Sequence, residues 1–308
     1  MCLFKVSSYF TILRKAVSNN IINSYKEIEE ILNSSNLSFE NLKYLAKEVS
    51  ANTWSPYSHF PVGAVVVGID QSKKPKVFSG TNVEPTISQS ICAERNAIFN
   101  GISAGYKKFI ALAVSVPKAL EKWPDKAELN FLTPCGACRE VISQKLDPKG
   151  IILLDGHERT FTPKEFLPHP LLDQNKLKTL TIDEMDTLDL ARAALHNAHV
   201  PHSKEKYGVA MLTENTNEKY SACTLDSASF GCSVEPLKAV FGTYAASGSI
   251  KNSKNKIKAI VFAFPFVKYP PGDALQLISD YCEPNTKIII DNMGTSTIEE
   301  LLPWAFKF

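Results

Sequence analysis

The 308 residues, 44% hydrophobic and 21% charged, suffice for two units that each bury a core, and they exclude a disordered chain. A formal net charge of +2 provides no broad basic field, so the composition gives no support to a polynucleotide substrate. Seven cysteines without framework spacing point to a reducing compartment, and no apolar run approaches the ~18 residues of a membrane span.

In chain order, Leu3, Phe10, Leu13 and Val17 predict a first helix, and Ile28, Ile31 and Leu32 a second. The first 26 residues lack Asp and Glu, which is compatible with a targeting segment but equally with an amphipathic helix; with little arginine present, cytoplasmic residence is expected. Ser38 is a plausible N-cap for a third helix carrying Phe39, Leu42, Leu45 and Val49. Gly63 to Ile69 has strand length and β-branched content, and Lys76 to Gly80 can pair with it across the polar turn Asp70 to Pro75. A helix is expected from Cys92 to Ala104, a strand from Phe109 to Val116, an inserted loop over Lys118 to Leu129, a helix bearing Cys135 and Cys138, and a strand at Ile151 to Leu154. Alternation of this kind predicts a layered α/β domain.

Two runs carry the chemistry: Cys92-Ala93-Glu94-Arg95 and Pro134-Cys135-Gly136-Ala137-Cys138. Together they offer three thiolates, Cys92, Cys135 and Cys138, to one tetrahedral zinc whose fourth position stays open for water. A structural site would want four protein ligands, and no fourth Cys or His lies near either run. Zinc at an open site lowers the pKa of bound water from 15.7 to about 7, and Glu94, close by but not a ligand, is placed to handle the water proton.

This signature resembles that of the zinc-dependent cytidine deaminases acting on free nucleosides. The resemblance extends to Ser55-Pro56-Tyr57-Ser58-His59-Phe60-Pro61-Val62-Gly63-Ala64 and to Ser79-Gly80-Thr81-Asn82-Val83-Glu84, and it covers most of residues 38 to 308. It implies a three-layer α/β/α sandwich with a mixed sheet, duplicated, one Zn2+ per chain, and a homodimer with active sites near the subunit interface. It further implies that Asn82 and Glu84 hydrogen-bond the ribose 3′-hydroxyl and the base edge region and that Phe60 packs on the pyrimidine; the N–H groups of Ala93 and Cys135 are expected to orient the base, and the Thr133 carbonyl to contact the leaving amine. Relatives with two repeats usually have His as first ligand, whereas short tetrameric ones combine Cys with an adjacent Arg. This chain mixes the two patterns, so Arg95 is expected to offset the charge of three thiolates from beside the ligand sulfurs.

From Ala191 onward the sequence repeats itself. Phe78 precedes Phe99 by the interval that separates Tyr220 from Phe241, and Gly136 precedes Asp155 as Gly272 precedes Asp291. On that alignment Val234, Pro271 and Ala274 replace the ligands and Pro236 replaces Glu94, so the second copy should be catalytically silent. The expected division is a helical segment over 1–37, a catalytic domain over 38–167, a linker over 168–190 and a degenerate domain over 191–308. His196, His199 and His202 are evenly spaced, but Pro201 breaks the common helical face that ligation would require. The basic run Lys251 to Lys258 lacks interleaved aromatics and reads as a solvated loop before the strand Ala259 to Phe264.

The function expected is hydrolytic deamination of cytidine and deoxycytidine in pyrimidine salvage, with a small-molecule nucleoside substrate and neither nucleic acid nor membrane as partner. Two alternatives stand beside it: deamination of cytosine within a polynucleotide, and a non-catalytic zinc-binding partner protein.

Overall fold

The computed structural model describes residues 25–122, 128–251 and 255–307. The helix expected over Leu3 to Val17 lies outside the described residues, as do 123–127 within the expected insertion and 252–254 within the basic run. Helix α1 spans Tyr25–Asn33 and α2 spans Phe39–Ser50, the latter begun by Ser38, whose side chain and that of Asn41 cap each other's backbone. The first sheet contains β1 (Gly63–Ile69), β2 (Pro75–Thr81), β3 (Phe109–Ser115) and β4 (Leu146–Leu154) in the order β2-β1-β3-β4. Pairing is antiparallel except between β3 and β4.

Both faces of this sheet are covered, which explains why β1 and β3 are buried at every position rather than alternately. On one face Ile28, Leu32, Leu42 and Ala46 from α1 and α2 pack on Val65, Val67, Ala111 and Ala113. On the other, α3 (Ala93–Ser103) and, after the short helices α4 (Pro117–Lys122) and α5 (Leu129–Leu132), α6 (Gly136–Lys145) join Ala97, Ile98 and Ile142 to Val66, Leu112 and Ile152. Both helices that follow the cysteine runs therefore share one face. The stretch Lys118 to Leu129 corrects the expectation of a plain loop, because α4 occupies its start and Ala119 is buried against the core.

After α7 (Pro163–Phe166), the second unit repeats the plan with α8 (Ile182–His196), β5 (Gly208–Thr213), β6 (Lys219–Cys223), α9 (Pro236–Ala246), β7 (Ile257–Ala263), α10 (Gly272–Tyr281), β8 (Lys287–Ile290), β9 (Gly294–Ser296) and α11 (Ile298–Leu301). Its sheet order, β6-β5-β7-β8-β9, repeats the first with one added antiparallel edge strand. The duplicated three-layer α/β/α architecture is thus present in both halves. The expected linker 168–190 is corrected at its end: a capping box of Thr181 and Glu184 starts α8 at Ile182, and Leu188 is already core. A boundary at 191 would cut this helix in two.

Superposing matched contacts also corrects the register of the repeat. Ile91 bridges Val83 as Val234 bridges Leu225, and Cys92 and Glu235 are the N-caps of α3 and α9. Glu235 therefore stands where Cys92 does, and Leu237 where Glu94 does, one place beyond the sequence alignment. Phe99 and Phe241 are not counterparts: Phe99 is 41% exposed, whereas Phe241 is 6% exposed and matches the buried Ile98. Pro271 and Cys135, the N-caps of α10 and α6, do correspond, as the spacing indicated.

Candidate active site

Cys92 and Cys135 each end an extended segment and cap a helix, and Cys138 lies one turn into the second of those helices. Helix N-termini favour thiolates, so local structure supports deprotonated sulfur at this point. The sulfurs of Cys92 and Cys135 are 3.7 Å apart, as are those of Cys135 and Cys138, and all three lie within 4.8 Å. A tetrahedron with metal–sulfur bonds of about 2.3 Å has corners about 3.8 Å apart, so the donors fit zinc in type and in spacing. They are the one such cluster among the described residues.

Arg95 Nη2 donates to Cys92 Sγ at 3.4 Å, while its buried Nε has no partner among the described residues. Hydrogen bonds from the Cys135 and Cys138 thiols, with Arg95 alongside, hold the Cys92 thiol well below its usual range. Burial pushes Cys138 the other way. Glu94 is 4% exposed on the first turn of α3. Burial, reinforced by the charge of Cys92, raises its carboxyl to about 7. Such a group can give and accept a proton near neutral pH.

A cavity of about 170 Å3 opens beside these groups, walled by Cys92, Glu94, Cys135, Phe60, Asn82 and Glu84. Ala93, by contrast, is fully buried in α3 and is not part of the wall. Asn82 is already engaged: its oxygen accepts from Val62 N at 2.8 Å and Thr53 Oγ1 at 3.2 Å, and its nitrogen donates to Phe60 O at 2.9 Å. Glu84 accepts from Ser58 Oγ at 2.5 Å and from the N–H groups of Ser58 and Tyr57. These side chains brace the loop that forms the cavity rim.

Sequence reasoning missed Phe306, which reaches the cavity from the C-terminal end of the second unit and faces Phe60 with ring centroids 6.1 Å apart. Nothing local to Trp304-Ala305-Phe306 signals this, because the contact exists only after the two units dock. It also missed the apolar walls Val62, Val114, Val116 and Leu132, which read as ordinary core.

The family profile described as "Cytidine and deoxycytidylate deaminase zinc-binding region" matches residues 38–154, and a second profile of the same description matches 158–263. A curated protein named "Cytidine deaminase" from Sporosarcina psychrophila is 36% identical over 106 residues, which are 34% of this chain and 68% of that protein. The chain belongs to the cytidine deaminase family. A "Probable cytidine deaminase" from Dictyostelium discoideum is 38% identical over 86 residues, covering 28% of this chain and 50% of its own length. The crystal structure of cytidine deaminase from Burkholderia pseudomallei shares 33% identity, covering 43% of this chain and 98% of its own, with a TM-score of 0.36.

Within this family fold the second unit keeps the loop frame and lacks the three cysteines. Ser203 and Asp226 repeat the Ser58–Glu84 brace, and Tyr207 N donates to Thr224 Oγ1 as Val62 N does to Asn82. The space itself is filled. Tyr207 and Phe264 stand where Val62 and Val116 line the first cavity, and their rings stack at 5.2 Å. Glu235, in the place of Cys92, caps α9 and accepts from the Tyr207 hydroxyl at 2.5 Å. With Pro271 and Ala274 in the other ligand positions, this corner has no thiolate to offer.

Proposed function

We propose that this chain hydrolyses cytidine and 2′-deoxycytidine to uridine and 2′-deoxyuridine, releasing ammonia, and that it does so as a cytoplasmic homodimer in pyrimidine salvage. One observation carries the reading: of three sulfurs with the spacing of a zinc site, two lie on the wall of a small cavity, and they share that wall with a buried carboxyl outside the sulfur cluster.

Zinc, when held by Cys92, Cys135 and Cys138, supplies the Lewis acidity that makes hydroxide available near neutral pH. Glu94 takes the proton of the attacking water and passes it to ring N3 as C4 becomes tetrahedral; it then takes the proton of the new C4 hydroxyl and delivers it to the exocyclic amine, so that the C4–N bond breaks, ammonia leaves and the C4 carbonyl forms. Phe60 and Phe306 offer aromatic surface to a planar ring. Asn82 and Glu84 lie at the rim, where a sugar hydroxyl can exchange with the bonds they make to the loop. Polar groups aimed at the sugar would disfavour a free base, which leaves them unpaired. Arg95 offsets the charge of the sulfur cluster.

Exposed apolar side chains favour self-association. Trp54 (55% exposed), Tyr57 and Ile87 (81%) lie on the loops around the cavity mouth, and on the second unit Phe230 (62%) begins the short helix that matches the one begun by Ile87, with Leu225 also exposed. Surfaces of this kind mark interaction sites, and a two-fold dimer can cover both.

The test is a parallel product assay on cytidine, deoxycytidine, cytosine and a cytosine-containing oligonucleotide. The reading expects turnover of the two nucleosides alone. Turnover of the oligonucleotide alone, or of no pyrimidine by zinc-loaded protein, would overturn it.

A further inference from the structure

An arginine one residue past a metal ligand, on a helix in a mixed sequence, would ordinarily point to solvent. Arg139 is 1% exposed and among the largest fully buried side chains. A buried guanidinium is costly unless its donors are satisfied. Here every N–H is used, and every partner is neutral. Nε donates to Pro134 O at 2.7 Å. Nη1 donates to Phe166 O at 2.8 Å and Pro303 O at 2.6 Å, and Nη2 to Trp304 O at 2.6 Å and Thr133 Oγ1 at 3.1 Å.

Those five bonds join three separate pieces of chain: the loop before Cys135, the end of the first unit, and the C-terminal segment of the second. The Thr133 hydroxyl adds a further bond to Trp304 O at 2.8 Å. Trp304 has φ +48°, a left-handed conformation that a non-glycine residue adopts only when its surroundings impose it. The chain then turns back over the first unit: Gln276 Nε2 donates to Phe306 O at 2.9 Å, Lys307 N donates to Asn130 O at 3.0 Å, and the Phe306 ring enters the cavity wall.

We propose that Arg139 is a positioning residue that fastens residues 303–307 as a strap, so that the silent copy closes the substrate cavity of its own chain with Phe306. The guanidinium suits this work because its five donors form a rigid planar fork, which a lysine ammonium cannot reproduce. The same side chain holds the Thr133–Pro134 segment, so the strap and the segment leading into Cys135 are registered by one group. Arg139 does not touch the cavity; it acts through Phe306.

The proposal uses nucleoside turnover as one readout and to that extent rests on the function proposed above, but its first test needs no substrate. Hydrogen exchange of the zinc-loaded full chain should show the Lys307 amide protected in wild type and exchanging at least about tenfold faster in Arg139→Lys. Unchanged protection would overturn the proposal whatever the enzyme turns over. For activity, Arg139→Lys should raise the KM for cytidine about tenfold with kcat and zinc content nearly unchanged. In a Phe306→Ala background it should add less than about twofold, the non-additivity expected of residues acting through one contact. A merely structural arginine would instead lower zinc content or kcat equally in both backgrounds, and that result also overturns the proposal. Gln276→Ala, which cuts the side-chain tether to Phe306 and leaves Arg139 in place, covers the case in which the lysine variant does not fold. It should raise KM less than about threefold, and a rise equal to that of Phe306→Ala would show that Arg139 is not what holds the strap.

Discussion

Gly136 and Gly272 cross at the N-termini of α6 and α10 so closely that a Cβ on Gly136 would lie 1.8 Å from the Gly272 oxygen, and one on Gly272 2.3 Å from the Gly136 oxygen. The contact is reciprocal, since Gly136 N donates to Gln276 Oε1 at 3.0 Å and Gly272 N to Glu140 Oε2 at 3.3 Å. Glycine is needed here for approach of backbone to backbone, and the crossing ties the second unit to the helix that carries Cys135 and Cys138. Gly272→Ala should therefore cost on the order of 3 kcal/mol, because neither backbone can yield cheaply. Calorimetry should show a lowered Tm and a zinc-competition assay a weaker metal site. An unchanged Tm would mean that the crossing has slack.

Metal content should follow the sulfur cluster and nothing else. Purified chain is expected to carry one zinc, Cys138→Ala to lose it, and Glu94→Gln to retain it, as measured by elemental analysis after gel filtration. The second unit should contribute none, since Glu235, Pro271 and Ala274 occupy its corresponding positions. Two zincs per chain would refute this account of the silent copy.

Arg95 touches Cys92 Sγ through Nη2, and its buried Nε has no acceptor among the described residues. Groups that support metal ligands typically change affinity or activity by about 10- to 100-fold when removed. Arg95→Gln should lose turnover within that range and shift the pH–rate profile. A variant with wild-type turnover and profile would make Arg95 a bystander.

Glu84 gives the cavity loop an acid sensitivity. Burial pushes its carboxyl up, but the hydroxyl and N–H of Ser58, the N–H of Tyr57 and the Asn82 amide outweigh this and hold it below its ordinary value. A depressed folded pKa contributes stability that is present above the unfolded value of about 4.3 and is lost as the pH falls through the folded one. Melting curves should show wild type more stable than Glu84→Gln at neutral pH, with the difference shrinking as the pH falls below the unfolded value of about 4.3. A difference independent of pH would remove ionisation from the explanation.

The parts of the site legible in the sequence are those whose geometry is local. Cys92 and Glu94 are two residues apart at a helix start, and Cys135 and Cys138 one turn apart, so spacing alone nearly fixes their relation. Phe306 and Arg139 were illegible because their roles depend on contacts spanning more than 160 residues, such as Arg139 to Pro303. The start of α8 was missed although Thr181 and Glu184 form a capping box, since the polar residues of its first half hid the apolar stripe beginning at Leu188. The one-residue slip of the repeat has a different cause: Phe99 and Phe241 share a residue type but not an environment, and burial, not identity, sets the structural match.

The most direct test is the ultraviolet spectrum of cytidine during incubation with zinc-loaded wild type and with zinc-loaded Glu94→Ala. Wild type should convert it to uridine with one ammonia released for each ring changed, and the variant should be slower by at least the factor of about 10² to 10⁴ typical of a lost general acid–base group. Equal conversion by both proteins, or none by wild type with its metal in place, would contradict a water-activating sulfur-bound metal working with Glu94.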